Sequence, residues 1–195
     1  MTVAAPPAVL FKEWAVVVDA MLEGRQALTL RKGGIVEENG RFVPDEPAFW
    51  LFPTYEHQSA DVLVEAERGR YGRVLAAPRP PGAVEVRGFA ACTETFVVGD
   101  ESAARRLAAE TIWTGEAVLD RFRMMPGRPL YAMVLRVRRL PAPVSIPLRD
   151  SYLGCKSWVA LEDDAPRLPD PAGLPPVLAD AAFEAVRARI RTAAS

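Results

Sequence analysis

The run Phe49-Trp50-Leu51-Phe52-Pro53-Thr54-Tyr55-Glu56-His57-Gln58 constrains this chain more than any other stretch. It packs four aromatic side chains, a proline and the only histidine into ten residues. Trp50 to Phe52 read as a short strand, and Pro53 ends it, because proline has no N–H to give to a ladder. Behind that stop, Tyr55, Glu56, His57 and Gln58 follow in succession, each able to hydrogen-bond. An apolar strand running straight into a polar turn marks a candidate site at the end of a core element. Glu56 and His57 are the candidate catalytic pair, since imidazole titrates near neutrality and a neighbouring carboxylate raises its pKa. A surface or capping histidine is the competing reading.

With 195 residues, half of them hydrophobic and a quarter charged, the chain is expected to be globular with a core of its own. A net charge of −1 excludes a wholly electrostatic polyanion binder but leaves room for a local basic groove. Cys92 and Cys155 lie far apart, and one histidine cannot complete a zinc site with them, so no metal or other cofactor is expected. Residues 1–7 lack a basic leader region and no apolar run reaches membrane-spanning length. The expectation is a cytoplasmic protein without a membrane partner.

Along the chain, Leu10, Trp14, Val17, Val18 and Met21 recur at helical spacing and predict a helix over 10–23, stopped by Gly24. The β-branched run Val16-Val17-Val18 argues for a hairpin there instead. Residues 27–31 alternate as a strand, and Asn39-Gly40 signals a tight hairpin between extended runs. Residues 60–77 read as partly helical, with Val62, Leu63 and Ala66 on one side. Arg68, Arg70, Arg73 and Arg79 surround Tyr71; Glu65 and Glu67 dilute them, which reads as a solvated face. Val84 to Val98 suggest one or two strands. Asp100 or Ser102 is placed to cap a helix over 103–112, and Val118, Leu119 and Phe122 belong to a shorter one after Gly115. Leu130 to Leu140 is the strongest strand, apolar on both faces in its first half, as a covered central strand should be. Beyond Pro141 and Pro143, Val144 to Ile146 suggest a separate strand, and Tyr152 to Val159 a last one. Residues 166–195 read as a proline-rich link and an amphipathic helix carrying Phe183, Val186 and Ile190, packing on the domain formed by 1–165.

Ligand-binding candidates complete the picture. Arg31 and Lys32 beside Gly33-Gly34 combine a guanidinium, an ammonium and accessible backbone N–H groups, which suits an anion. Trp50, Tyr55 and Trp158 offer rings on which a base could stack, each contact being worth roughly 1–3 kcal/mol in single-strand binders, and they would be equally at home as core aromatics. Gln58 and Lys156 add polar groups, and all of these are expected to line one cleft with His57. Asp45 followed by Glu56-His57-Gln58 imitates the layout of a metal nuclease, but no lysine follows an acidic residue by two places, as that chemistry needs to steady the attacking water.

Four stretches, Phe11-Lys12-Glu13-Trp14, Leu30-Arg31-Lys32-Gly33-Gly34-Ile35, Phe52-Pro53-Thr54-Tyr55-Glu56-His57-Gln58 and Gly154-Cys155-Lys156-Ser157-Trp158, together resemble a bacterial family known as domain of unknown function 1802. Members sometimes accompany restriction-endonuclease-like domains, which implies a link to DNA restriction and a protein partner of that kind. Gly24-Arg25-Gln26-Ala27-Leu28-Thr29-Leu30-Arg31 also resembles the entry signature of ASCH domains of the PUA-like superfamily, and the late strands are similar to those of ASCH and EVE domains. Gly24 and Arg31 match that signature; Gln26 and Thr29 stand where it has lysine and glutamate. The resemblance implies an α+β fold, a small mixed PUA-like β-barrel with flanking helices and a C-terminal helix. It implies binding of RNA, DNA, modified bases or a nucleotide in a cleft beside the first helix. The alternatives are a hydrolase acting on a nucleoside or phosphodiester through Glu56 and His57, and a non-catalytic scaffold.

Overall fold

The computed structural model describes residues 9–32, 35–38, 41–44, 46–154, 156–162 and 165–195. In chain order the elements are β1 Val9–Trp14, α1 Ala15–Leu22, β2 Leu28–Arg31, β3 Ile35–Glu38, β4 Arg41–Pro44, β5 Ala48–Thr54 and α2 Glu65–Ala76. There follow β6 Ala83–Val98, α3 Glu101–Ala108, α4 Gly115–Arg123, β7 Leu130–Pro147, β8 Trp158–Ala160 and α5 Asp180–Ala194. Six strands form one mixed sheet in the order β2-β7-β6-β5-β1-β8; β3 and β4 form a separate hairpin. Glu38 lies opposite Arg41 in that hairpin, as a two-residue turn requires, while Asn39 and Gly40 themselves lie outside the described residues.

The sheet is rolled. β2 is one edge and β1 is next to the other, yet Thr29 on β2 donates its hydroxyl to Glu13 on β1 at 3.2 Å. The Arg31 guanidinium, two residues further along β2, lies 4.9 Å over the ring of Phe11, two residues back along β1. Alternate residues of both strands therefore face one another across the roll. This is the α+β, small mixed barrel with flanking helices expected from the sequence. Its core falls into two clusters. Phe11, Phe49 and Leu51 belong to the one beneath the helices, and Leu10, Trp50 and Phe52 to the one on the other face. Both faces of β5 are thus buried.

Three expectations about strand and helix bounds need correction. The predicted helix over 10–23 begins only at Ala15, because residues 9–14 pair with β5 in parallel and with β8 in antiparallel register. Seven of the eight residues of α1 are buried. A helix covered all round has no polar face to mark its start, so the apolar spacing ran on into β1. Its end is clear: Arg25 N–H donates to Ala20 and Gly24 N–H to Met21, with Gly24 at φ +74°, a Schellman stop. Second, β5 does not end before Pro53. β6 leaves β5 after Trp50, so at Pro53 only β1 is alongside, and an edge tolerates proline. Third, Pro141 and Pro143 do not divide β7. They fall where the register with β6 jumps from Gly88–Arg139 to Val86–Val144, a bulge whose residues owe no ladder bonds.

Ala66, assigned to the apolar side of α2, is exposed; the buried residue of that helix is Glu67, paired with Arg25 at 2.5 Å. α3 carries the expected cap, with Asp100 accepting from Ala103 N–H at 2.7 Å, and α4 is capped by Thr114. The C-terminal helix α5 buries Phe183 and Ile190 against α3, β6 and β7. Ahead of it the linker is tied to β7, with Arg139 N–H donating to Pro175 and Val177 N–H to Val137, both at 3.0 Å.

Gly88 sits where β6 crosses under α1. A Cβ there would lie 2.5 Å from Leu22 Cδ2 and 3.0 Å from the Arg138 carbonyl oxygen. The leucine tip can turn away but the β7 backbone cannot, so Gly88→Ala is expected to destabilise the fold by about 1–3 kcal/mol. A urea midpoint unchanged from the parent would refute the close packing described.

Candidate functional site

The rolled sheet brings β1, β2, β5 and β8 together around Phe11. Arg31 covers the Phe11 ring from β2, and Trp158 on β8 meets the same ring with 4.6 Å between centroids. Phe49 closes the aromatic group, 4.7 Å from Phe11 and 5.0 Å from Trp158. Glu13, 6% exposed, accepts from Thr29 and from the backbone N–H of Trp14. Trp14 packs edge-on to Trp113, over which Arg121 of α4 lies at 5.1 Å. Burial pushes the Arg31 guanidinium below its ordinary pKa; Glu13 opposes the shift and Arg121 adds to it. The arginine stays charged, because its ordinary pKa lies so far above neutrality.

Of the residues expected to share one cleft, Arg31 and Trp158 do meet, across Phe11. Lys32 is turned elsewhere: its ammonium donates to the carbonyls of Phe122 at 2.6 Å and Arg128 at 3.0 Å. It thereby caps the C-terminal end of α4, where a cation is favoured by the helix dipole. Trp50 has no exposed surface and packs edge-on to Phe89, so a ligand cannot reach its ring; the sequence could not distinguish this core aromatic from a stacking one. Lys156 is exposed, two residues before Trp158. Glu56 and His57 are exposed on the turn after β5, with His57 at φ +55°. Gln58 folds back, its amide donating to the Thr54 carbonyl at 2.8 Å, while Tyr71 donates to the Gln58 carbonyl. Tyr55 lies under the Arg79 guanidinium, 4.3 Å from ring to charge, in the wall of a cavity of about 550 Å³. Asp45, Gly33, Gly34 and Cys155 lie outside the described residues. Among the described residues no group of three or more metal-ligating side chains converges.

Sequence reading missed Glu13, Thr29 and Arg121 as members of the Arg31 group. Their common surroundings come from sheet curvature, which no local pattern records. Gln26, at the position where the ASCH signature has lysine, is structural here: its oxygen accepts from Ile112 N–H and its amide donates to Leu28. Burial pushes the Cys92 thiol upward, so it stays protonated near neutral pH and is a poor nucleophile.

A family model described as a domain of unknown function, DUF1802, matches residues 10–189. The chain belongs to the DUF1802 family. No curated protein matches this DUF1802 chain. Among solved structures it is similar to the crystal structure of ASCH from Zymomonas mobilis, at 16% identity over 80% of this chain and 88% of that one, with a TM-score of 0.47. It is also similar to two mutant forms of that protein. One is 16% identical over 81% of this chain and 92% of that one, TM-score 0.47; the other is 17% identical over 80% and 90%, TM-score 0.46.

The placement of Lys32 has a measurable consequence. Lys32→Met removes two charge-assisted bonds from the end of α4 and is expected to cost about 1 kcal/mol of stability. An unchanged denaturation midpoint would show that the ammonium is not engaged there.

Proposed function

We propose that this DUF1802 domain binds a nucleic acid or nucleotide-like anion at the corner built by Arg31, Phe11 and Trp158. The observation that supports the reading is the Arg31 guanidinium. It is half-buried over an aromatic ring and has no carboxylate within ion-pairing distance among the described residues. Burial raises the cost of an uncompensated charge, and an anion offering a bidentate oxygen edge offsets it. Glu13 is near enough to favour the charged guanidinium without taking its N–H groups, which leaves that donor fork for a ligand. Arg121 adds a second guanidinium near Arg31, and Trp158 a half-buried ring next to Phe11. Phosphate and planar base, the two chemistries of a nucleotide, each have a matching group within one corner.

With a net charge of −1, attraction must come from these few local contacts rather than from the whole molecule. Affinity for single-stranded oligonucleotides is therefore expected to fall with salt by about 0.7 of a log unit, per log unit of salt, for each phosphate contacted. Arg31→Met keeps the stem over Phe11 and removes the charge; it should lower both the affinity and the slope by one contact. Trp158→Leu should weaken binding and leave the slope intact. Titrations of single-stranded and duplex oligonucleotides at several salt concentrations test this. Absence of binding to all of them, or an Arg31→Met slope equal to that of the parent, overturns the reading.

A further inference from the structure

We infer a second binding site, separate from the Arg31 corner, that takes a nucleotide unit in the groove between α1, α2 and the start of β6. The groove encloses about 550 Å³, a volume typical of small-molecule sites. Its floor is neutralised within the protein. Arg70 of α2 pairs with Glu23 at 2.7 Å, and Arg87 of β6 lies 3.7 Å from Asp19 of α1. Two further arginines of the wall have no such partner. The guanidiniums of Arg73 on α2 and Arg79 on the loop after it make neither a hydrogen bond nor an ion pair among the described residues. Arg79 is held instead over the ring of Tyr55, 4.3 Å away.

That arrangement discriminates between ligands. Two unpaired guanidiniums on one wall favour phosphate oxygens, which they can grip in bidentate fashion. The Arg79–Tyr55 pair is a planar stack already assembled, and a base extends it without ordering a new side chain. Glu85 also lines the groove, with no cationic partner among the described residues. Its carboxylate repels a bare polyanion but accepts from the N–H donors that every nucleobase carries. Prolines 53, 78, 80 and 81 stiffen the remaining wall, so little conformational entropy is lost when the groove fills. The same chemistry serves a free mononucleotide or one unit of a single strand. A neighbouring cavity of about 330 Å³ shares Asp19, Glu23 and Arg87 with the groove and continues it toward Arg139 and Pro141, giving a strand room for a second unit.

Calorimetric titration tests the site with AMP, UMP, inorganic phosphate, tripolyphosphate and a four-nucleotide single-stranded RNA. The expected result is that AMP and UMP bind at least about tenfold more tightly than either inorganic anion. Arg79→Ala, Arg73→Ala and Tyr55→Leu, all at exposed or half-exposed positions, should each weaken mononucleotide binding by about tenfold with the melting temperature unchanged, whereas Arg31→Met leaves it intact. A further gain for the tetranucleotide assigns the groove to a strand; equal affinity assigns it to the free nucleotide. Failure of both nucleotides and the tetranucleotide to bind overturns the inference. So does tripolyphosphate binding more tightly than AMP, or nucleotide binding that Arg31→Met removes and Arg79→Ala does not. The last of these would leave the Arg31 reading standing while the groove falls.

Discussion

The antiparallel ladder between β6 and β7 is the constraint on which the rest of the molecule depends. The two strands stay in register from Val98–Leu130 to Ala83–Pro147, with irregularities only between Cys92 and Glu94 and between Val86 and Gly88. A long antiparallel pair twists, and each bulge adds to the bend. That curvature turns β2, held on the far side of β7, back toward β1. Without it Glu13 would not reach Thr29 and Arg31 would not lie over Phe11. The bulge at Val86–Gly88 also opens the space that α1 needs, since Gly88 is where Leu22 comes closest.

Arginine carries most of the cationic charge, and most of it is committed internally. Arg25 ties α1 to α2 through Glu23, Glu67 and Asp19. Arg187, Arg189 and Arg191 fasten α5 to Glu94 and Glu110, and Arg136 pairs with Asp180 while lying over Phe183. Arg138 and Arg139 serve as backbone caps, donating to the carbonyls of Leu174 and Leu22. Against that background Arg31, Arg73 and Arg79 have no acidic partner among the described residues, and Arg31 and Arg79 lie over aromatic rings. A near-neutral total charge therefore conceals local cationic points that the internal pairs do not cancel.

The sequence disclosed the elements whose signals are local. Asp100 caps a helix through an oxygen that a reader of the chain can name, Gly24 needs its left-handed turn, and the alternation of Leu28 to Arg31 marks a strand. It disclosed much less of what long-range pairing decides. Nothing local separates Leu10 in a strand from Leu10 on a helix, because the distinction rests on β5 and β8 lying alongside. Likewise Trp50 and Trp158 look alike in sequence, yet one is sealed between two faces and the other edges a corner. The polar block Tyr55 to Gln58 was legible as unusual, but its members diverge: Tyr55 toward Arg79, Gln58 toward its own turn, Glu56 and His57 into solvent. Of the arginines of α2, read as a solvated face, Arg70 and Arg73 line a groove together with Pro78, Pro80 and Pro81.

The pairing of β1 with β8 joins residues about 150 positions apart in the chain. Val9 finds its partner at Ala160, so one edge of the first strand stays open until residues 158–160 have been made. During that interval Phe11 and Phe49 lack the ring of Trp158 that later covers them, and an unpaired strand beside bare aromatics is the kind of surface that recruits other chains. Closure of so distant a contact is also slow, since the loop entropy is lost before the pairing is gained. The same three-residue strand that completes the Arg31 corner is therefore the latch of the fold, and the corner exists only in molecules that have finished folding.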